Sequence, residues 1–257
     1  MRLATWNVNS IAARLPHVLA WLAEQQPDVL CLQEIKTETA RFPLEAFAER
    51  GYQAVVHGQR AYNGVAILAR AGLADVQRGF PGDDDAAPAR LLAATVGGLR
   101  VVNVYVPNGA PLGSERFTGK LAWLARLQRY LAETADPCQP LALCGDYNVA
   151  PEARDVFDPV RLAGEVLFTP EERAALAPLR AWGLVDSLRL HHAEPGLYSW
   201  WDYRQGAFRR NLGLRIDHIW VTPPLAAACS GAWIDVAPRR QERPSDHTPV
   251  VAEFAVP

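Results

Sequence analysis

Strand-like apolar runs in this chain stop repeatedly at an amide, an acid or a histidine. The runs are Leu3 to Asn7 with Asn9 just beyond, Val29 to Glu34, Leu141 to Asn148 through Gly145-Asp146-Tyr147-Asn148, Leu214 to Asp217, and the late Ser245-Asp246-His247. A strand needs no such group at its end, and each one taken from water costs free energy unless it is paired or bound to a metal. The repetition suggests one shared polar site, and so favours folds in which the ends of several distant strands come together.

The elements between these runs alternate. Leu15, Val18, Leu19 and Leu22 recur at helical spacing, and Pro27-Asp28 stops that helix before the strand-like Val29-Leu30-Cys31-Leu32. Gly64 to Leu68 and Leu99 to Val106 read as strands, the second closed by the turn sequence Pro107-Asn108-Gly109. Leu121, Leu124, Leu127 and Leu131 form a helical stripe between Lys120 and Glu133. A further helix starts at Thr169, with Pro170 in its first turn and Glu172 completing a capping box, and ends near Trp182-Gly183. Strands come both singly and in hairpin-like pairs, which predicts an α/β fold of mixed sheets packed face to face with helices outside, rather than a parallel βαβ barrel. A 257-residue chain that is 49% hydrophobic can bury a sizeable core. With no linker or low-complexity tract, residues 1–257 are expected to form a single domain.

A net charge of −2 argues against a protein that coats nucleic acid by bulk charge, but leaves room for a local basic patch. Cys31, Cys138, Cys144 and Cys229 show no CxxC spacing and read as reduced. No window approaches the roughly 20 apolar residues of a membrane span, and the N-terminus enters a strand without a basic leader. A cytoplasmic protein with no membrane partner is expected.

Alternate side chains of a strand share a face. Asn7 and Asn9 therefore point together, as do Asp146 and Asn148, whereas Asp217 and His218 point apart; Asp217 is the one assigned to the site. Each polar residue alone has an ordinary explanation as a turn amide, surface acid or cap, but together they form a set. The chain has no GxSxG elbow, P-loop, strand-borne GxGxxG or HExxH helix. Oxygen-rich ligands without paired His or Cys favour Mg²⁺ or Mn²⁺ over Zn²⁺, and such metals serve phosphate chemistry.

The segments Trp6-Asn7-Val8-Asn9, Leu32-Gln33-Glu34-Ile35-Lys36, Asn63-Gly64-Val65-Ala66, Phe80-Pro81-Gly82-Asp83-Asp84, Tyr105 to Gly109, Gly145 to Asn148, Tyr198 to Arg204, Gly213 to Asp217 and Ser245-Asp246-His247 resemble, in order, the exonuclease III family of apurinic/apyrimidinic (AP) endonucleases within the endonuclease/exonuclease/phosphatase superfamily. The resemblance covers essentially the whole chain. It implies a four-layered α/β sandwich with two mixed sheets and the site at one end.

It also implies roles. Glu34 is the principal metal ligand, Asn7 holds the metal shell and orients Asp146, and Asp246 lies beside the metal as a second ligand. Asp146 and Asn148 handle the attacking water, His247 oriented by Asp217 contacts the scissile phosphate, and Tyr105 donates to phosphate or to the departing alkoxide. Arg90, Asn108, Trp200, Arg204, Leu214 and Ile216 bind substrate, with Trp200, Leu214 and Ile216 lining a slot for a baseless sugar. The basic and aromatic stretch holding Arg204, Arg209, Arg210 and Arg215 reads as a phosphate-contacting surface. Residues 110–119 have no clear counterpart and are the candidate for a DNA-inserting loop. The implied activity is that of a Mg²⁺-dependent repair phosphodiesterase, with Mn²⁺ able to replace Mg²⁺. It acts as a monomer on double-stranded DNA with abasic sites or blocked 3′ ends. Two alternatives are a non-DNA metal phosphoesterase and an inactive nucleic-acid-binding regulator on the same fold.

Overall fold

The computed structural model describes residues 1–255; Val256 and Pro257, the end of the span expected to be one domain, lie outside the described residues. In chain order the strands are β1 (Arg2–Asn7), β2 (Val29–Gln33), β3 (Gln53–His57), β4 (Val65–Ala69), β5 (Leu73–Arg78), β6 (Leu91–Val96), β7 (Leu99–Tyr105), β8 (Leu141–Asp146), β9 (Val185–Asp186), β10 (Asp217–Val221), β11 (Cys229–Ile234) and β12 (Val250–Phe254). The helices are α1 (Ile11–Gln25), α2 (Leu44–Ala48), α3 (Glu115–Thr134), α4 (Pro170–Ala181), α5 (Ser187–His191) and α6 (Pro223–Ala227). The strands form two six-stranded sheets, ordered β11-β12-β1-β2-β4-β3 and β5-β6-β7-β8-β10-β9. Both are mixed, because β1 runs parallel to β2 and β7 parallel to β8 while their other neighbours are antiparallel.

Strand periodicity sorts the apolar residues into three layers of contact. Leu3, Val29 and Cys31 turn inward and meet Val101, Ala142 and Ile219 of the second sheet. Ala4, Trp6, Leu30 and Leu32 turn outward onto Val18, Trp21 and Leu22 of α1 and Phe47 of α2. On the far side, Val102, Val104 and Leu143 pack under Leu124, Leu127 and Leu131 of α3 and Leu176 and Leu179 of α4. The result is the expected four-layered α/β sandwich.

The capping box of α4 forms as read: Thr169 Oγ1 accepts from the Glu172 N–H (3.0 Å), and Glu172 Oε2 accepts from the Thr169 N–H (2.9 Å). The α3 stripe is shifted from its leucine reading. Leu121 is half-buried, while Phe117, Lys120 and Tyr130 take inward positions. Ser114 caps α3 at Glu115, so the second half of the 110–119 segment is helix and not loop. Similarly, Leu214 and Trp200 meet in an isolated bridge, and β10 begins only at Asp217.

One polar layer crosses the inner core. Gln33 Nε2 donates to Thr5 Oγ1 (2.8 Å) and Asn103 Oδ1 (2.7 Å), and Asn103 Nδ2 donates to the carbonyls of Leu32 (3.0 Å) and Ala66 (2.9 Å). Buried amides bonded in this way tie the sheets at one height. The layer lies directly beneath the strand ends that carry Asn7 and Glu34, and fixes how those ends face one another.

Candidate active site

Topology explains why the polar strand ends meet. β1, β2, β7 and β8 end on the same side of the sandwich, where antiparallel β10 begins and the chain enters β12. Registers place Asn7 beside Gln33, and Asp146 between Tyr105 and Asp217. Gly145 permits the close approach of β7 to β8, since a Cβ there would lie 1.9 Å from the Val104 carbonyl oxygen.

Asn7 Nδ2 donates to both Glu34 Oε1 and Asp146 Oδ2, each at 2.9 Å, joining the two sheets across the gap. Asp146 Oδ1 accepts from the Asn148 N–H (2.8 Å), and Asn148 Nδ2 donates to the Val106 carbonyl (2.9 Å). Asn108 Nδ2 donates to Asn148 Oδ1 (3.2 Å). His247 Nδ1 is 2.8 Å from Asp217 Oδ2, and its Nε2 is 3.8 Å from Asp146 Oδ2. Asp217 also accepts from Ser199 Oγ (2.7 Å) and the Asn7 carbonyl from Ser245 Oγ (2.7 Å).

Simple alternation gave the right faces for a different reason at two positions. Asn9 and Asn148 do not continue their strands; their φ values of 45° and 50° are left-handed, a conformation asparagine adopts more readily than most residues. Opposite orientation of Asp217 and His218 holds. His218 turns away from the site, against Arg215 and the Val149 carbonyl, where burial and the Arg215 charge push it down to about 3. Tyr147 is likewise buried under the outer helices, its hydroxyl donating to the Leu143 carbonyl.

Burial pushes Asp146 up, and the charges of Asp217 and Glu34 add to this against His247 and Asn7, leaving it at about 7. Burial opposes charge on His247, but Asp217, Asp146 and Asp246 outweigh it and raise the imidazolium to about 10. Burial would raise Glu34 too, yet hydrogen bonds from Lys36 and Asn7 hold it below its ordinary value. Tyr105 is pushed well up, by burial first and then by Glu34 and Asp146, so its hydroxyl keeps its proton. The Arg90 guanidinium lies 4.5 Å over the Tyr105 ring.

Ligand atoms of Glu34, Asp146 and His247 lie within 4.8 Å of one another, the one such acid and His group among the described residues. An imidazolium has no free lone pair, so the donors left are carboxylate oxygens, which suit a hard cation. Asp246 stands one step out: its oxygens accept from Asn9 Nδ2 (2.9 Å) and Trp200 Nε1 (3.0 Å).

Trp200, Leu214 and Arg204 line a cavity of about 690 Å³ with Phe157, Leu162 and Leu167. Ile216 lies behind that wall, 1% exposed, and supports the wall without lining it. Arg90 and Asn108 line a separate cavity of about 830 Å³. Arg204, Arg209 and Arg210 are exposed, but Arg215 is corrected: it is 1% exposed and paired with Asp155 (2.7 Å) and Asp186 (2.8 Å), out of reach of DNA phosphate.

Residue reading also missed Lys36, Ser199 and Lys120. Lys36 pairs with Glu34 at 2.8 Å and lies two residues beyond it in the Leu32 to Lys36 segment, which was the available signal. Lys120 has no such signal; only the packing of α3 reveals it.

The model of the endonuclease/exonuclease/phosphatase family matches residues 4–247. The chain belongs to this family. Among its members, the exodeoxyribonuclease III of Haemophilus influenzae is 39% identical over 99% of this chain and 100% of its own length. An AP endonuclease structure from Archaeoglobus fulgidus superposes with a TM-score of 0.96 at 43% identity, covering 100% of both chains. A 3′ phosphatase from Neisseria, bound to a product DNA hairpin, superposes with a TM-score of 0.95 at 43% identity, again over 100% of both. The family is metal-dependent, and Glu34, Asp146 and His247 form an acid and His cluster that could hold a metal ion. No helix among the described residues is long and apolar enough to cross a membrane.

Proposed function

We propose that this protein is a Mg²⁺-dependent DNA-repair phosphodiesterase, working as a monomer, that cuts the backbone 5′ to an abasic site to leave a 3′-hydroxyl and also processes 3′ ends. The supporting observation is the convergence of Asn7, Glu34, Asp146, Asn148, Asp217 and His247 at one end of the sandwich, beside the cavity walled by Trp200 and Leu214. The names of full-length relatives, an exodeoxyribonuclease III and an AP endonuclease, agree with it.

Glu34 would hold the ion with Asp146 alongside, Asn7 orienting both and Asp246 steadying the outer shell. Mg²⁺ supplies neutralisation of phosphate oxygens and acidification of water. Asp146, a buried carboxylate that desolvation makes more basic and that holds the Asn148 N–H, is placed to accept the proton of the attacking water. Asn148 orients that water. His247, cationic because of Asp217, meets the negative charge that develops on phosphate. Tyr105 keeps a proton to donate to phosphate or to the departing 3′-oxygen. Arg90, Asn108 and Arg204 flank the strand, and Trp200 and Leu214 receive the baseless sugar.

Incubation with an abasic duplex, an intact duplex and a 3′-blocked nicked duplex tests this reading. Cutting at the abasic site with Mg²⁺ is expected; an uncut abasic duplex under every metal condition, with folded protein, refutes the reading. Chelation should abolish cleavage and added Mg²⁺ restore it. Glu34→Gln should raise the Mg²⁺ concentration for half-maximal rate by at least about 10-fold, with thermal unfolding unchanged.

A further inference from the structure

Lys120 and Glu172 form an ion pair with neither side chain exposed to water, 52 residues apart, between α3 and the start of α4. A buried pair of this kind adds little to stability compared with apolar residues of similar size. Its partners suggest another use. Lys120 Nζ donates to the carbonyls of Asn148 (2.6 Å) and Asn108 (3.1 Å) as well as to Glu172 Oε1. Glu172 Oε1 also accepts from the Leu167 N–H at 3.0 Å, and Oε2 from the Thr169 N–H. All three ammonium protons and both carboxylate oxygens are thereby committed to backbone or to each other.

The pair reaches two left-handed residues, one within the polar site and one in the cavity wall. Asn148 has φ 50°, and Leu167, which lines the cavity beside Trp200, has φ 80°. Such a conformation is costly for leucine and persists only where its surroundings hold it. The Leu167 N–H is held by Glu172 and its carbonyl accepts from the Ala150 N–H (2.8 Å), two residues beyond Asn148. One buried contact thus spans Asn108, Asn148 and the cavity wall.

We infer that Lys120 and Glu172 are positioning residues that set Asn148 and Leu167 relative to each other, so that the group handling the attacking water is in register with the sugar seated in the cavity. This inference rests on the proposed function. A displacement of about 1 Å at such a site costs about 100-fold in rate.

The test is a double variant, Lys120→Met with Glu172→Met, which leaves no lone buried charge. It is compared with wild type on an abasic duplex with Mg²⁺. The expected result is a retained unfolding transition, kcat lower by about 100-fold and little change in KM. Glu172→Gln, which keeps an acceptor toward Lys120 and Leu167 but loses the counter-charge and the acceptor toward the Thr169 N–H, should show a kcat between those of wild type and the double variant. A folded double variant with wild-type kcat overturns the inference. Should that variant not fold, Lys120→Gln decides: wild-type kcat in its folded form overturns the inference, and a folded form with depressed kcat supports it. If it does not fold either, the pair is a support of the fold and the inference is again overturned. Wild-type protein that leaves the duplex uncut refutes the proposed function instead, which keeps the two failures apart.

Discussion

Asp146→Asn is expected to lower the rate of abasic-duplex cleavage by about 10³-fold or more while the protein remains folded. The wild-type carboxylate accepts from Asn7 Nδ2 and from the Asn148 N–H, and lies 3.8 Å from His247 Nε2. An amide of the same shape keeps an oxygen for one of these donors, but must present a second N–H where an acceptor is required. It also removes the basic group that burial has raised to about 7, and a positioned acid or base typically contributes about 10² to 10⁴ in rate. Loss of its charge weakens the hold on the cation as well. Steady-state cleavage at saturating Mg²⁺, with circular dichroism melting as a control, checks the expectation. Near-wild-type kcat would remove Asp146 from the reaction.

The largest stability effect is expected away from the chemistry. Arg215→Met should destabilise the fold by about 3–5 kcal/mol at neutral pH, because it leaves buried carboxylates without their main partner. Arg215 serves Asp155 and Asp186 together, and its NH1 lies 3.0 Å from His218 Nδ1. Burial would raise both acids, but the Arg215 charge and hydrogen bond hold each below its ordinary value. Groups depressed in the folded state contribute stability above their unfolded value, near 3.8, and lose it as pH falls through the folded value. The variant lacks that contribution, so its deficit against wild type should be full from about pH 7 down to about pH 4 and shrink only as pH falls further, below the unfolded value. Urea unfolding of both proteins across that range and below it measures the deficit; one independent of pH throughout would contradict the charge account.

How far the sequence could be read follows from which interactions are local. Period-two alternation separated Asp217 from His218, because side-chain direction in a strand is set by the strand's own backbone. The α4 start was legible from Thr169, Pro170 and Glu172, since a capping box closes within one turn. Arg215 was misread because a charge in a basic, aromatic stretch looks the same whether it faces solvent or two buried acids from other segments. Lys120 was passed over because a lysine at the edge of a leucine stripe ordinarily lies on the solvated face, and its partners come from two loops and the first turn of α4.

By itself, the sequence determined the main strands and helices it named, the opposite orientation of Asp217 and His218, and the identity of most polar groups that terminate the strands. Its ordered motifs pointed to the family that comparison with full-length relatives then showed. Only the tertiary structure decided that these groups meet, through two parallel strand pairs whose ends align with the start of β10. It also decided the charge states: a His247 held as imidazolium chiefly by carboxylates from two other strands, Asp217 and Asp146, an Asp146 raised by burial, and a Lys120 committed to backbone carbonyls. Strand geometry and helix caps depend on neighbours a few residues away, whereas electric fields and desolvation depend on whatever the fold brings within a few ångströms.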